Sequence, residues 1–180
     1  DGAAHTFLSF EFEDEEFIAV SIEIRKEKQE TFSGLKGIFK QYEIMYVLGD
    51  ERDLIGLRAN HRKDDVFLYH VNSTKKRTAD LFIDIIKRVN ELKEKPEFYN
   101  TLTNTCTTNL VSHTNTIYPG RIPFDLRILA PGYSDKFAYE IGMLNTSLSF
   151  EEARKKYRIN ELAKEYADSE EFSLKIRDLS

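Results

Sequence analysis

The chain has 180 residues, 41% apolar and 32% charged, with 13 Phe, 9 Tyr and no Trp; that suffices for one substantial core and is too short for two large domains. A net charge of -5 and a pI near 5.5 argue against a nucleic-acid phosphate track, and no run of about 18 apolar residues offers a bilayer span. A single cysteine, Cys106, rules out an internal disulfide framework without separating cytosol from periplasm. The first residue is Asp1, with neither an initiator Met nor a signal peptide, so a mature or trimmed chain is expected.

Residues from His5 to Phe12 and from Phe17 to Ile24 alternate, predicting two strands around an acidic turn at Glu13–Glu16. In the first, Thr6, Leu8, Phe10 and Phe12 share a face, opposite His5, Phe7, Ser9 and Glu11. In the second, Ile18, Val20, Ile22 and Ile24 share a face, opposite Phe17, Ala19, Ser21 and Glu23. A register that joins the apolar faces puts His5 and Glu23 on one side, and a three-residue turn sets them directly opposite. Ser33–Phe39 follows as a glycine-punctuated loop whose Lys36 lacks phosphate-loop spacing and is expected to cover a surface. Tyr42–Leu48 and Val66–Val71 predict further strands, separated by a charged, irregular segment, Gly49–Asp65.

Ser73 and Thr74 open a long helix ending before Pro96, with Leu81, Phe82, Ile85, Ile86, Val89 and Leu92 as one core-facing stripe. Tyr99–Leu110 then reads as a polar, turn-prone loop delivering Cys106 to the first turn of a helix, roughly Thr107–Thr116, with Leu110, Val111 and Ile117 buried. Tyr118–Tyr133, with Pro119, Pro123 and Pro131, is loop-rich. In the tail, Ser149 precedes Glu152 and Asp168 precedes Glu171 at capping-box spacing, so the charged stretch Glu151–Ser180 is expected to be helical. The expected division is a domain over 1–148 and a charged helical extension over 149–180.

Four histidines are present, His5, His61, His70 and His113, and none has zinc-site spacing, so no metal is expected. A thiol at a helix start is inclined to ionise, because unpaired backbone N–H groups and the dipole favour negative charge there. It still needs a base, itself oriented by a third group. His113 lies seven residues beyond Cys106, ~10 Å along a helix axis and too far for a direct pair. His70 alternates with Val66 and Leu68 and reads as half-buried structure; His61 sits among charges and reads as solvated. Cys106, His5 and Glu23 meet the requirement on paper. The bland alternative is an exposed strand-end histidine beside a solvated carboxylate. The Cys106 N–H would supply one oxyanion donor, with Asn104 or Asn100 adding an amide and Tyr99 lying in the same loop; for Asn104, capping the helix is the alternative.

The order of a histidine on an N-terminal hairpin, then a cysteine at a helix start, is similar to circularly permuted papain-like enzymes of the NlpC type. More specifically, the chain resembles the Lnb N-terminal periplasmic domain family. The resembling stretches begin with Ala4–Phe10, Ser21–Arg25, Gln41–Glu43, Asp50–Arg58 and Glu97–Leu102. They continue through Asn104–Asn109, Pro119–Pro123 and Pro131–Asp135, so the resemblance spans about Ala4 to Leu148. It implies an α+β fold in which an antiparallel sheet packs on a helix bearing the cysteine at its N-terminus. It carries His5 over as base, Cys106 as nucleophile and Glu23 as orienting group, and it needs no cofactor. Arg25, Arg52 and Arg58 fall in family-like segments as holders of a phosphate or of structural carboxylates. One departure is Thr105, where many members carry Asn.

The family is named for a bacterial lipoprotein N-acyltransferase. The resemblance therefore implies periplasmic acyl transfer from a phospholipid, through a cysteine thioester, to the N-terminal amine of a lipoprotein. It implies a membrane-proximal setting, with any anchor outside this chain and no nucleic-acid partner. A largely apolar acyl slot near Cys106 is expected for transfer, and an open, polar face for hydrolysis. The competing functions are a cysteine peptidase or amidase of the cell envelope and a non-catalytic envelope-binding module.

Overall fold

A computed structural model describes residues 4–25 and 42–179; the Ser33–Phe39 loop with Lys36 lies outside the described residues. The fold is α+β, with a three-stranded antiparallel sheet in the order β1-β2-β3 and several helices. Strands β1 (Phe7–Glu11) and β2 (Phe17–Arg25) are joined by a single 3-10 turn, Glu13–Glu15. Glu15 takes a left-handed conformation (φ 60°) and Phe12 N–H donates to Glu16 O at 2.8 Å, the arrangement that closes three-residue hairpins. Carried along the ladder, this pairing sets His5 opposite Glu23, as the alternation requires. β2 is the central strand, and Ala19, Val20, Ser21 and Ile22 are all buried, so its middle is covered on both faces.

The chain divides into two compact units, and the division passes through every strand. The first comprises residues 1–7, 21–47 and 73–137. In it the main part of β3 (Glu43–Gly49) lies beside an extended segment: Ile44 N–H donates to Glu97 O at 2.9 Å and Tyr99 N–H to Tyr42 O at 2.7 Å. The long helix forms as expected, from Lys75 to Glu94, with the Thr74 hydroxyl capping Arg77 N–H. Ile85 and Leu92 are buried on its stripe, and it packs against the cysteine helix.

The second unit comprises residues 8–20, 48–72 and 138–180. The segment expected to be irregular after Gly49 is helical here: α1 (Glu51–Gly56) runs into a wider π turn, Leu57–Arg62. Asp50 caps α1 by accepting from Arg52 N–H, and Glu51 and Asp53 sit in the first turn, where the dipole favours them. Charge density hid an inward stripe of Ile55, Arg58 and Ala59. Conversely, Val66–Val71 is extended but forms no strand. Phe67 bridges Arg158, and Val71 bridges Leu144, partners too short for a continuous ladder.

Three further helices, Phe150–Lys156, Asn160–Glu165 and Phe172–Lys175, occupy the charged tail. The Ser149–Glu152 capping box forms. The Asp168–Glu171 box does not, because Glu171 itself takes the cap position and its N–H donates to the Ser169 hydroxyl. Ala153, Ile159, Ala163, Phe172 and Ile176 are buried, so the tail contributes core to this unit. Glu51 is fully buried, and the Arg177 guanidinium donates to both its carboxylate oxygens at 2.7 Å, with the Ser9 hydroxyl as a further donor.

Candidate functional site

The site candidates Cys106, His5 and Glu23 all belong to the first unit. The cysteine helix runs Cys106–Ile117. Thr105 is its cap: its hydroxyl accepts from Thr108 N–H at 3.1 Å while Thr108 Oγ1 accepts from Thr105 N–H at 2.7 Å. Capping falls to Thr105, so Asn104 is released for other bonds. This places Cys106 at the first helical position, 6% exposed. The helix itself leaves the Cys106 and Thr107 N–H groups without an acceptor.

The supporting loop is tightly tied. Asn100 Oδ1 accepts from the N–H groups of Leu102 and Thr103, closing a turn. Asn104 Nδ2 donates to Phe98 O, and its Oδ1 accepts from Asn109. Tyr99 is pushed up to about 12, chiefly by burial and secondarily by the nearby Cys106 charge. Its phenol therefore stays protonated beside the sulfur.

His5 sits where the alternation put it, facing Ser21 and Glu23. Its Nε2 lies 2.7 Å from Ser21 Oγ and 3.4 Å from Glu23 Oε1, and the Ser21 hydroxyl donates to Glu23 Oε1 at 2.7 Å. A hydroxyl has one proton. Since that of Ser21 goes to the carboxylate, Nε2–H donates to Ser21. The neighbours of the two candidate residues meet: Thr6 Oγ1 is 3.5 Å from Thr107 Oγ1 and 3.3 Å from Ser134 Oγ. Thr107 Oγ1 is in turn 3.8 Å from the Cys106 sulfur.

Arg25 is exposed and pairs with Glu43 at 3.1 Å. Arg52, exposed at the start of α1, and Arg58, buried in the π turn, belong to the other unit. His61 is exposed as expected, whereas His70 is exposed rather than half-buried, since no strand forms around it. Among the described residues, no group of three His, Cys, Asp or Glu side chains is placed to hold a metal ion.

Sequence reasoning missed a second cluster. His113 is buried, with Nδ1 2.7 Å from Asp84 Oδ2 and Nε2 2.8 Å from the Tyr46 hydroxyl, which donates to Asn109 Oδ1 at 3.2 Å. Leu110 is buried as expected, but Val111 and Ile117 are only half-buried; polar Asn109 and His113 fill the inward face instead. The available signal was Thr105, Asn109 and His113 at helical i, i+4, i+8 spacing. Asp84, Arg88, Asn104, Asn109 and His113 help line a polar cleft of about 550 Å³.

Residues 2–132 match the Lnb N-terminal periplasmic domain family. No curated protein and no solved structure matches the chain. Among the described residues, no helix is long and apolar enough to cross a membrane.

Proposed function

Because the chain belongs to the Lnb N-terminal periplasmic domain family, a family of periplasmic envelope proteins, we propose that it is a thiol acyltransferase working on lipid-linked substrates. In this reading the fold is a permuted papain-like core, with the histidine hairpin preceding the cysteine helix. His5 takes the Cys106 proton, and the thiolate attacks an ester carbonyl of a phospholipid. The N–H groups of Cys106 and Thr107 receive the developing oxyanion. Collapse breaks the ester C–O bond, and the His5 proton goes to the departing alcohol. The thioester is then attacked by the N-terminal amine of a lipoprotein, which releases an amide and restores the thiol.

The observation that carries this reading is a helix-start cysteine in the same unit as a histidine already oriented by Ser21 and Glu23. The direct test is incubation with phospholipid vesicles and trapping of an acyl adduct on Cys106 by intact mass. The adduct is expected in the wild type and absent in Cys106→Ala, with His5→Ala slowing its formation about 10²–10⁴-fold. A wild-type protein that gains no acyl mass would sink the reading. Hydrolysis by the same residues is the second reading, favoured by the hydroxyls of Thr6, Thr107 and Ser134 near the thiol, which make a poor wall for an acyl chain. Turnover of peptides without a lipid adduct would select it. A thiol that resists a mild electrophile would select the binding module.

A further inference from the structure

His113 is a buried titratable side chain that the chemistry above leaves idle, and its hydrogen bonds lead back to the cysteine. Asn109 reaches one turn back along the helix: its Nδ2 donates to Thr105 O at 2.8 Å and to Asn104 Oδ1 at 2.7 Å. Thr105 O can only accept, and Asn104 Oδ1 is fixed as an acceptor because Asn104 Nδ2 serves Phe98 O. The Asn109 amide is thereby oriented, leaving its Oδ1 to accept from the Tyr46 hydroxyl. Tyr46 has only one proton, so His113 Nε2–H must donate to Tyr46. Nδ1 of the same ring lies 2.7 Å from Asp84 Oδ2, so one chain of hydrogen bonds runs from Asp84 to the Thr105 carbonyl. Arg88 and Glu97 flank the chain: Arg88 donates to both Glu97 oxygens and interacts with Tyr46.

We propose that Asp84, His113 and Tyr46 are positioning residues: through Asn109 they clamp the carbonyl immediately before Cys106 and so fix the helix start that activates the thiol. The proposal rests on reading Cys106 as the nucleophile. The physical reason is leverage. A helix start stabilises a thiolate only while its free N–H groups stay aligned on the sulfur, and Thr105 is the residue whose tilt sets that alignment. Three elements distant in sequence, β3, the long helix and the cysteine helix, converge to hold it.

The test is alkylation of Cys106 by iodoacetamide in the whole protein, followed by intact mass from mildly acidic to mildly alkaline pH, with thermal unfolding alongside. Tyr46→Phe keeps the ring edge-on to His113 (centroids 5.8 Å apart) and removes only the hydroxyl. Its alkylation at neutral pH is expected to fall about fivefold, the equivalent of one net hydrogen bond, with the pH midpoint moved upward. His113→Leu should fall as far; His113→Gln, which can still donate to Tyr46, should recover part of the rate. Wild-type rates and midpoints in Tyr46→Phe and His113→Leu overturn the proposal. So does a slower rate with an unmoved midpoint, or a wild-type thiol that does not alkylate. Should His113→Leu not fold, Tyr46→Phe decides alone. Failure of acyl transfer looks different: a wild-type thiol that alkylates readily yet takes no acyl group from phospholipid.

Discussion

Glu51 is a carboxylate removed from water and held by one guanidinium and one hydroxyl. Deleting the guanidinium leaves an uncompensated buried charge, so Arg177→Ala is expected to destabilise the protein by ~3–5 kcal/mol, read as a lowered urea midpoint. A change under ~1 kcal/mol would mean that water reaches Glu51 once Arg177 is gone. At the candidate site, Ser21 is the direct partner of His5 at 2.7 Å, with Glu23 farther off at 3.4 Å. Ser21→Ala should therefore slow thioester formation more than Glu23→Gln, by about tenfold or more relative to wild type; the reverse order would make Glu23 the true orienting group. The His5–Glu23 pairing was legible because strand alternation and turn length are local rules. Ser21 shares that face with Glu23, but alternation alone does not mark it as the nearer partner of His5. His113 was not legible, since helical spacing says nothing about Tyr46 and Asp84 arriving from elements 67 and 29 residues away.

At the scale of elements, the hairpin turn and the cysteine helix carry separable predictions. Glu15 holds φ 60° without being glycine, a conformation costing roughly 1–2 kcal/mol for an L-residue. Glu15→Gly relieves that cost but gives the unfolded chain more freedom, so a net gain of about 0.5 kcal/mol, seen as a higher Tm, is expected. Thr105→Ala removes the hydroxyl half of the capping box and should cost about 1 kcal/mol; calorimetry would measure it, and no loss would mean that the Asn109 clamp alone holds the first turn. Helices with an apolar stripe or a Ser/Thr cap were readable, as at Thr74 and Ser149. α1 was not, because a stripe of only Ile55, Arg58 and Ala59 among many charges resembles a loop. Val66–Val71 erred the other way: its composition favours extension, but a strand also needs a long partner, which composition does not supply.

At the scale of the whole molecule, three carboxyls are held below their ordinary range. Hydrogen bonds from Arg88 lower Glu97, those from Arg127 lower Asp125 to about 2, and those from Ser149 lower Glu152. Depressed folded-state values mean that the unfolded chain binds more protons in the intervening window. The stabilisation is thus complete above the ordinary carboxylate range and drains away as pH falls towards about 2. Urea midpoints should drop across that acid window, and the gap between wild type and Glu97→Gln should close at its acid end. A gap that persists there would show that Glu97 acts through shape rather than charge.

The family match ends at residue 132, but Arg177 and five buried side chains of the second unit lie beyond it. Trimming the gene to the matched portion would orphan an anion in an apolar interior and unroof its neighbours. Such a shortened protein should come out of cells as insoluble material, whereas the chain to Leu179 should not.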